Sequence, residues 1–288
     1  MKPKKIIITG STGKISSYLL GNLSLQGTMI NGISRKKFYN TKRVKNFNGS
    51  FYDDFFLENS LNNTHTIIHA LALTRATNKK QLYHSNEYIT KKIVKFCEKN
   101  NTKRFIFLST DLAHNPAGNY GKSKLACEKI IENSNLKDWV ILRLSPVIFS
   151  YDGDERTTFG KIFKSIENER FIFLPNSGKF SVSPLLAKDL LELIKILFNF
   201  KGTIKEIFSV TGKEYILHEL IAYLSLKNKK KSKVIGVSIK FIKYIIKFFL
   251  IFNISLPVFE SLTHLFQNNK ISNQKIIKKF NFKPSRLY

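Results

Sequence analysis

The stretch Lys5-Ile6-Ile7-Ile8-Thr9-Gly10-Ser11-Thr12-Gly13-Lys14-Ile15-Ser16 decides the fold. It opens as an apolar run of strand character, turns at two glycines and passes into a helical pattern from Ile15 to Leu25. Gly10 permits a tight turn, Gly13 lets the backbone approach a pyrophosphate, and the helix N-terminus supplies N–H donors with a favourable dipole. Ser16 stands where a third small residue is wanted, and its hydroxyl is compact enough for close packing. A Walker phosphate loop is excluded, because no glycine stands five positions before Gly13 and Lys14 is followed by Ile15.

Working outward, short apolar runs alternate with helical patterns, the signature of βαβ units that build a parallel sheet. Strands are predicted at 5–9, 29–34, 66–70, 104–109 and 139–144, with helices near 15–25, 87–99 and 122–134. Beyond residue 145 the pattern loosens. Loops at 151–154 and 175–178 precede a helix from Ala187 to Phe198 and a strand at Glu206 to Val210. The fold class is α/β: a Rossmann-type doubly wound parallel sheet over 1–145, then a smaller C-terminal α/β lobe over 146–288. The strand near 206–210 is expected to return to the main sheet.

At the end of the second strand, where an acidic residue would bind the ribose hydroxyls of NAD, the chain has Ser34-Arg35-Lys36. Cations there suit a 2′-phosphate, so the expected cofactor is NAD or NADP with a lean to NADP. A second cluster is Tyr120-Gly121-Lys122-Ser123-Lys124, which follows a strand ending in Leu108-Ser109-Thr110-Asp111. On a helix, Tyr120 and Lys124 lie one turn apart on one face. An ammonium there is expected to lower the phenol's pKa and bring Tyr120 nearer the range for proton exchange with a substrate hydroxyl or carbonyl. Ser109 or Thr110 could hydrogen-bond the same substrate oxygen.

The 288 residues carry 48 basic and 20 acidic side chains, a net charge of +28, which favours an anionic partner. With 43% hydrophobic and 24% charged residues the chain is globular, and a disordered tail is excluded. Two cysteines, Cys97 and Cys127, exclude a disulfide framework and a cysteine-rich zinc site. His65 and His69 are expected to pack rather than to bind metal, and no metal site is predicted. The apolar run before Gly10 is too short for a signal peptide, so the expected location is the cytoplasm. No motif of recognised spacing points to nucleic acid. Near the C-terminus, lysines 227, 229, 230, 231 and 233 precede an apolar stretch, 234–258, interrupted by Lys240, Lys243 and Lys247. That stretch suits an amphipathic helix, of the second lobe or against an acidic membrane, but has too many charges to span one.

Taken together, Thr9-Gly10-x-x-Gly13, His69-Ala70-Leu71-Ala72, Asn86, Ser109-Thr110 and Tyr120-x-x-x-Lys124 resemble the extended short-chain dehydrogenase/reductases, the NAD-dependent epimerase/dehydratase family. Ile141 to Val147, Gly178-Lys179-Phe180-Ser181 before Asp189, and Lys278 to Pro284 continue the likeness over nearly the whole chain. The resemblance implies Tyr120 as acid/base, Lys124 on the nicotinamide ribose, and Thr110 or Ser109 as the hydroxyl partner. It implies cofactor contacts from Gly10, Ser11, Thr12, Gly13, Lys14 and Ile15, from Ser34, Arg35, Ser50 and Phe51, from Ala70, Leu71, Ala72, Asn86 and Leu108, and from Ser145, Pro146 and Val147. Thr74 and Lys179 would touch a nucleotide-diphosphate sugar, and a homodimer through two helices is implied as well.

Three departures narrow this. Ser50 stands where the family has an adenine-contacting Asp. Leu112 occupies the Glu position of the sugar 4,6-dehydratases, and leucine cannot remove a proton from carbon, so dehydration is disfavoured. Only ten residues separate Ser109 from Tyr120, as in an atypical branch that includes a respiratory complex I accessory subunit. Two functions follow: an NAD(P)-dependent nucleotide-sugar epimerase or 4-keto-reductase, or a non-catalytic NADPH-binding module held at a membrane or partner complex.

Overall fold

The computed structural model describes residues 3–36, 44–74, 79–114, 116, 118–149, 158–168, 171–230, 232–238, 240 and 272–287. In chain order the elements are β1 (Lys4–Thr9), α1 (Lys14–Asn22), β2 (Thr28–Ser34), β3 (Val44–Asn48), α2 (Asp54–Leu61), β4 (Thr66–His69) and α3 (Lys79–Tyr83). A π-helical turn (His84–Tyr88) leads into α4 (Ile89–Lys99), then β5 (Arg104–Thr110), a 3₁₀ turn (Asp111–Ala113), α5 (Asn119–Glu132), β6 (Trp139–Leu144), β7 (Val147–Ile148) and α6 (Thr158–Asn168). There follow β8 (Phe171–Pro175), β9 (Ser181–Val182), β10 (Leu185–Leu186), α7 (Ala187–Asn199), β11 (Lys205–Val210), β12 (Tyr215–Ile216), α8 (Leu217–Lys227), β13 (Lys233–Val237) and a C-terminal helix (Gln274–Phe280).

The chain divides into two compact units, the first of residues 1–144, 187–210 and 273–283, the second of 145–186, 211–272 and 284–288. The second is therefore discontinuous, with 187–210 and 273–283 in the first unit, where the sequence set only the strand near 206–210 apart from the lobe. In the first unit seven strands, all parallel, run in the order β3-β2-β1-β4-β5-β6-β11. Strands covered on both faces are continuously apolar, and β1, β4, β5 and β6 supply Ile6 to Ile8, Ile67, Ile68, Phe105 to Leu108 and Val140 to Leu142 to the interior. Helix α4 buries Ile89, Ile93, Val94 and Cys97, one stripe at three- and four-residue spacing. The strand order reverses between β1 and β4, and in such sheets ligands bind at the carboxyl ends of the strands beside that reversal.

Strand β3 and helix α2 are not legible in the apolar pattern. Val-Lys-Asn-Phe-Asn offers two apolar residues in five, and it forms a strand because β2 presents an open edge for it. The far edge is fixed by a buried ion pair. Arg104 at the start of β5 meets Asp138 at 2.6 Å and also donates to the carbonyls of Leu197, Phe200 and Gly202, which bring the end of α7 to the sheet. Strand β11 then pairs with β6 from Lys205 to Val210.

In the second unit, Phe159, Phe163 and Ile166 of α6, Ile172 and Leu174 of β8, and Leu217, Leu220 and Leu224 of α8 form one core. Three two-stranded pairs, β7 with β10, β8 with β13 and β9 with β12, frame it. The helix expected from Val234 does not begin there. Residues 233–237 are a strand, because Val234 packs on the core while Lys233 and Ile235 alternate outward, the two-residue period of a ladder. Positions 241–271 lie outside the described residues. Among the described residues no helix is long and apolar enough to cross a membrane.

Candidate active site

The glycine corner after β1 is built as its spacing demands. Gly10 has φ +72°, and a β-carbon on it would lie 2.9 Å from the Leu71 Cα, so both its backbone and the loop after β4 require glycine. Its N–H and that of Ser11 donate to the Ile33 carbonyl at 2.8 and 3.1 Å, tying the turn to β2. Gly13 is the N-cap of α1 with an ordinary φ of −71°, and α1 has no side-chain cap and no carboxylate in its first turn. Its opening N–H groups are thus left for an anion. Thr12 and Gly13 are exposed, whereas the Ser11 hydroxyl is buried without a hydrogen-bond partner. An open, uncapped, glycine-lined helix start with a spare hydroxyl fits a dinucleotide pyrophosphate.

The two glycines should respond differently to alanine. Gly10→Ala should destabilise the chain by about 2 kcal/mol, the combined effect of a left-handed backbone and a backbone clash. Gly13→Ala, whose added carbon meets the Gly10 carbonyl at 3.2 Å, should leave stability within about 0.5 kcal/mol yet weaken NAD(P) binding by about tenfold or more. Thermal unfolding and cofactor titration check both, and equal stability losses would contradict the distinction.

Several expected contacts turn out to hold the corner rather than face it. The Ser34 hydroxyl donates to the Lys36 carbonyl at 2.7 Å, which leaves Arg35 and Lys36 exposed at the end of β2. The Phe51 side chain is fully buried in the core, so only its backbone is available, and the exposed Ser50 accepts from the Tyr52 N–H. Asn86 spends its amide on the loop after β4, accepting from Leu73 N at 2.8 Å and donating to Leu73 O and the Ser123 hydroxyl at 3.0 Å each. It shapes the 70–74 loop, in which Ala70, Leu71 and Ala72 are half-buried and Thr74 is exposed.

His69 links this corner to α4. Thr90 gives its proton to the Asn86 carbonyl at 2.7 Å, so it accepts from His69 Nε2 at 3.0 Å; Nδ1 then accepts from Thr9 at 2.7 Å, and Thr9 accepts from Leu71 N. Burial, with Lys124 nearby, pushes the imidazole down to about 3, so it stays neutral. Below pH 6.5 the unfolded chain takes up a proton on this histidine that the folded chain refuses until about pH 3, so its stabilisation is complete above 6.5 and fades as pH falls. Relative to His69→Gln, the native chain should lose about 2 to 3 kcal/mol between pH 6.5 and 4.5. Denaturant unfolding of the pair measures this, and a pH-independent difference would contradict it.

Helix α5 carries the second cluster. A β-carbon on Gly121 would lie 2.6 Å from the Leu112 carbonyl oxygen, so glycine lets the first turn of α5 close on the 3₁₀ turn that follows β5. Tyr120 is half-buried on that turn and Lys124 is fully buried one turn on. The expected lowering of the phenol's pKa is not found. Lys124 donates to the Leu108 carbonyl at 2.7 Å and sits 3.9 Å over the Phe107 ring, while burial and the Asp111 carboxylate hold Tyr120 above its ordinary range. Burial lowers Lys124 to about 8 and raises Asp111 to about 6.

The two hydroxyl candidates separate. Ser109 donates to the buried Glu128, which Arg143 grips at 2.6 Å, so Ser109 belongs to a structural ion pair between α5 and β6. Thr110 donates to Asp111 at 3.1 Å and accepts from the Leu112 N–H to cap the 3₁₀ turn, so of the two it is the hydroxyl not bound into an ion pair. The Glu128–Arg143 pair was not singled out from the sequence, although Glu128 follows Lys124 by one helical turn. In the second unit, the Ser145 hydroxyl donates to the Ser183 carbonyl and the Pro146 carbonyl accepts from Leu185, beside Val147, while Lys179 is exposed.

Fold and corner define an NAD(P)-binding protein of Rossmann type. The model of the NAD dependent epimerase/dehydratase family matches residues 6–210, and the chain belongs to that family, one of extended short-chain dehydrogenase/reductase enzymes. Among curated relatives, an uncharacterised membrane protein of Methanocaldococcus jannaschii is 24% identical over 188 residues, 60% of this chain and 52% of its own. A UDP-N-acetylglucosamine 4,6-dehydratase (inverting) of Campylobacter jejuni is 28% identical over 146 residues, 46% of this chain and 44% of its own. The chain thus spans about half the length of the curated relatives it matches. A UDP-glucuronic acid 4-epimerase of Bacillus cereus, solved with UDP-glucuronic acid and NAD, shares the fold at TM-score 0.76 and 17% identity over 98% of this chain and 94% of that one.

Proposed function

We propose that the protein is an NAD(P)-dependent epimerase of a nucleotide-diphosphate sugar. The carrying observation is that the uncapped glycine corner and Tyr120 both stand at the carboxyl ends of one parallel sheet, after β1 and β5, with only β4 between those strands. When bound, the nicotinamide supplies the ring carbon that takes up and gives back hydride. Tyr120 moves the proton at the reacting sugar oxygen, Thr110 hydrogen-bonds that oxygen, and Lys124 holds the nicotinamide ribose. Lys179 is assigned to the diphosphate. Leu112 supports epimerisation over the dehydration named for the Campylobacter relative, since it offers no base for a carbon-bound proton. The homodimer belongs to the same proposal, through α4 and α5, where Lys91 and Ile130, with Tyr83 and Tyr88 from the turns before α4, line an open depression of about 590 Å³.

A second reading, a 4-keto-reductase, is favoured by one observation. Tyr120 is held protonated by burial and by Asp111, the form that donates to a keto oxygen. The exposed Arg35 and Lys36 suit the 2′-phosphate of NADPH. Incubating the chain with UDP-hexoses and UDP-hexuronic acids, and separately with NADPH and a nucleotide-diphosphate 4-keto-hexose, and following product by NMR alongside reduced nicotinamide, decides between them. Sugar epimers without net cofactor turnover are expected. Stoichiometric NADPH consumption would install the reductase, and NAD(P) binding with no conversion of any sugar would install the non-catalytic module.

A further inference from the structure

The β8 and β13 ribbon of the second unit shows an apolar face that the enzymatic reading does not use. The two strands pair in parallel with Phe171 opposite Lys233 and Phe173 opposite Ile235, and opposed residues point to the same side of the pleat. One side, with Ile172, Leu174 and Val234, packs on the core. The other leaves Phe171 42%, Phe173 63% and Ile235 37% exposed, and Leu226 at the end of α8 is 78% exposed. Single exposed apolar residues are ordinary, but three on one face of one strand pair form a patch.

Charge identifies what this patch faces. From Leu226 to Lys240 the chain carries six lysines and no carboxylate, and one of them, Lys233, lies on the apolar face itself. Lys229 adopts a left-handed backbone with its N–H on the Leu226 carbonyl, and the Lys230 N–H takes the Ser225 carbonyl. That closure turns the chain back at the end of α8 and leaves Lys229 and Lys230 exposed between Leu226 and β13. Two copies meeting through this face would set lysines against lysines. An acidic bilayer offers the complement: phosphate headgroups for the lysines, and an interfacial layer for aromatic and aliphatic side chains. From this we infer that the outward face of β8 and β13, with Lys229 and Lys230 before it, is a docking surface for an anionic membrane, to which the protein attaches peripherally.

The test is flotation of the full chain with phosphatidylcholine vesicles, with or without about a third phosphatidylglycerol, at low and high salt. Flotation is expected on the anionic vesicles alone and should weaken as salt shortens the screening length. Lys229→Gln with Lys230→Gln should reduce partitioning about thirtyfold, and Phe173→Ser with Ile235→Ser about tenfold. All four positions are exposed, and thermal unfolding confirms that each variant is folded. The inference is overturned by absent flotation, by flotation that ignores both pairs of substitutions, or by a dimer that Phe173→Ser converts to monomer, which would make the face an interface between copies.

Discussion

Tyr120→Phe should lower turnover of the nucleotide-diphosphate sugar by about 10² to 10⁴, the usual contribution of a positioned acid/base, while leaving NAD(P) affinity within about threefold. The substitution removes one hydroxyl from a half-buried ring and leaves the fixing contacts of α5 in place: Gly121 against Leu112, and Glu128 with Arg143. The backbone carbonyl that accepts from Ser123 is likewise retained. A folded variant that binds cofactor and turns over normally would remove Tyr120 from the chemistry. The raised phenol pKa adds a directional expectation: in the cofactor-free chain Tyr120 stays protonated at neutral pH, ready to donate, and becomes a base only when charge around it changes.

Lys124→Met should raise stability and abolish turnover together. The ammonium is fully buried, and its pKa of about 8, against an ordinary 10.5, means that the folded chain holds the charge at a cost of about 3 kcal/mol at neutral pH. Methionine fills similar volume without that charge. The Leu108 carbonyl loses its partner, worth about 1 kcal/mol or more. The net gain is about 1 to 2 kcal/mol, a melting point higher by a few degrees. The sign can be checked by pH. Between pH 8 and 10.5 the unfolded chain binds the proton that the folded chain has released, so the native protein should gain stability as pH rises while the variant does not. A less stable variant, or parallel pH profiles, would contradict this account of Lys124. Cofactor affinity should also fall, which separates this variant from Tyr120→Phe.

How much of this was legible in the sequence follows the range of the interactions. The corner from Thr9 to Ser16 is local: a turn that needs Gly10, a helix start that needs no cap and a strand before it are all written within eight positions. The parallel strands β1, β4, β5 and β6 were legible because burial on both faces demands continuous apolar runs. Strand β3 was not, since Val44 to Asn48 becomes a strand only through its pairing with β2. The start of the stretch expected to be helical, 234–237, is strand for a related reason, because a strand partner at Phe171 to Pro175 outweighs local helical spacing. At the site, residue identities were legible but their commitments were not. Ser109, Asn86 and Ser34 each have a plausible sequence position, and each has its polar group taken by a residue distant in sequence or by its own turn. The direction of the Tyr120 shift also depended on distant partners, since Lys124 turns to the Leu108 carbonyl and the Phe107 ring while Asp111 lies by the phenol.

The central claim is that the corner from Gly10 to Ser16 holds a dinucleotide on which Tyr120 acts. Its most direct measurement is mass spectrometry of the small molecules released on denaturing the natively purified chain, before and after saturation with NAD and NADPH. The account predicts a dinucleotide at about one per chain in at least one of these states, and its loss in a Gly13→Val variant that remains folded. A chain that carries no dinucleotide from the cell and retains neither when saturated would contradict it.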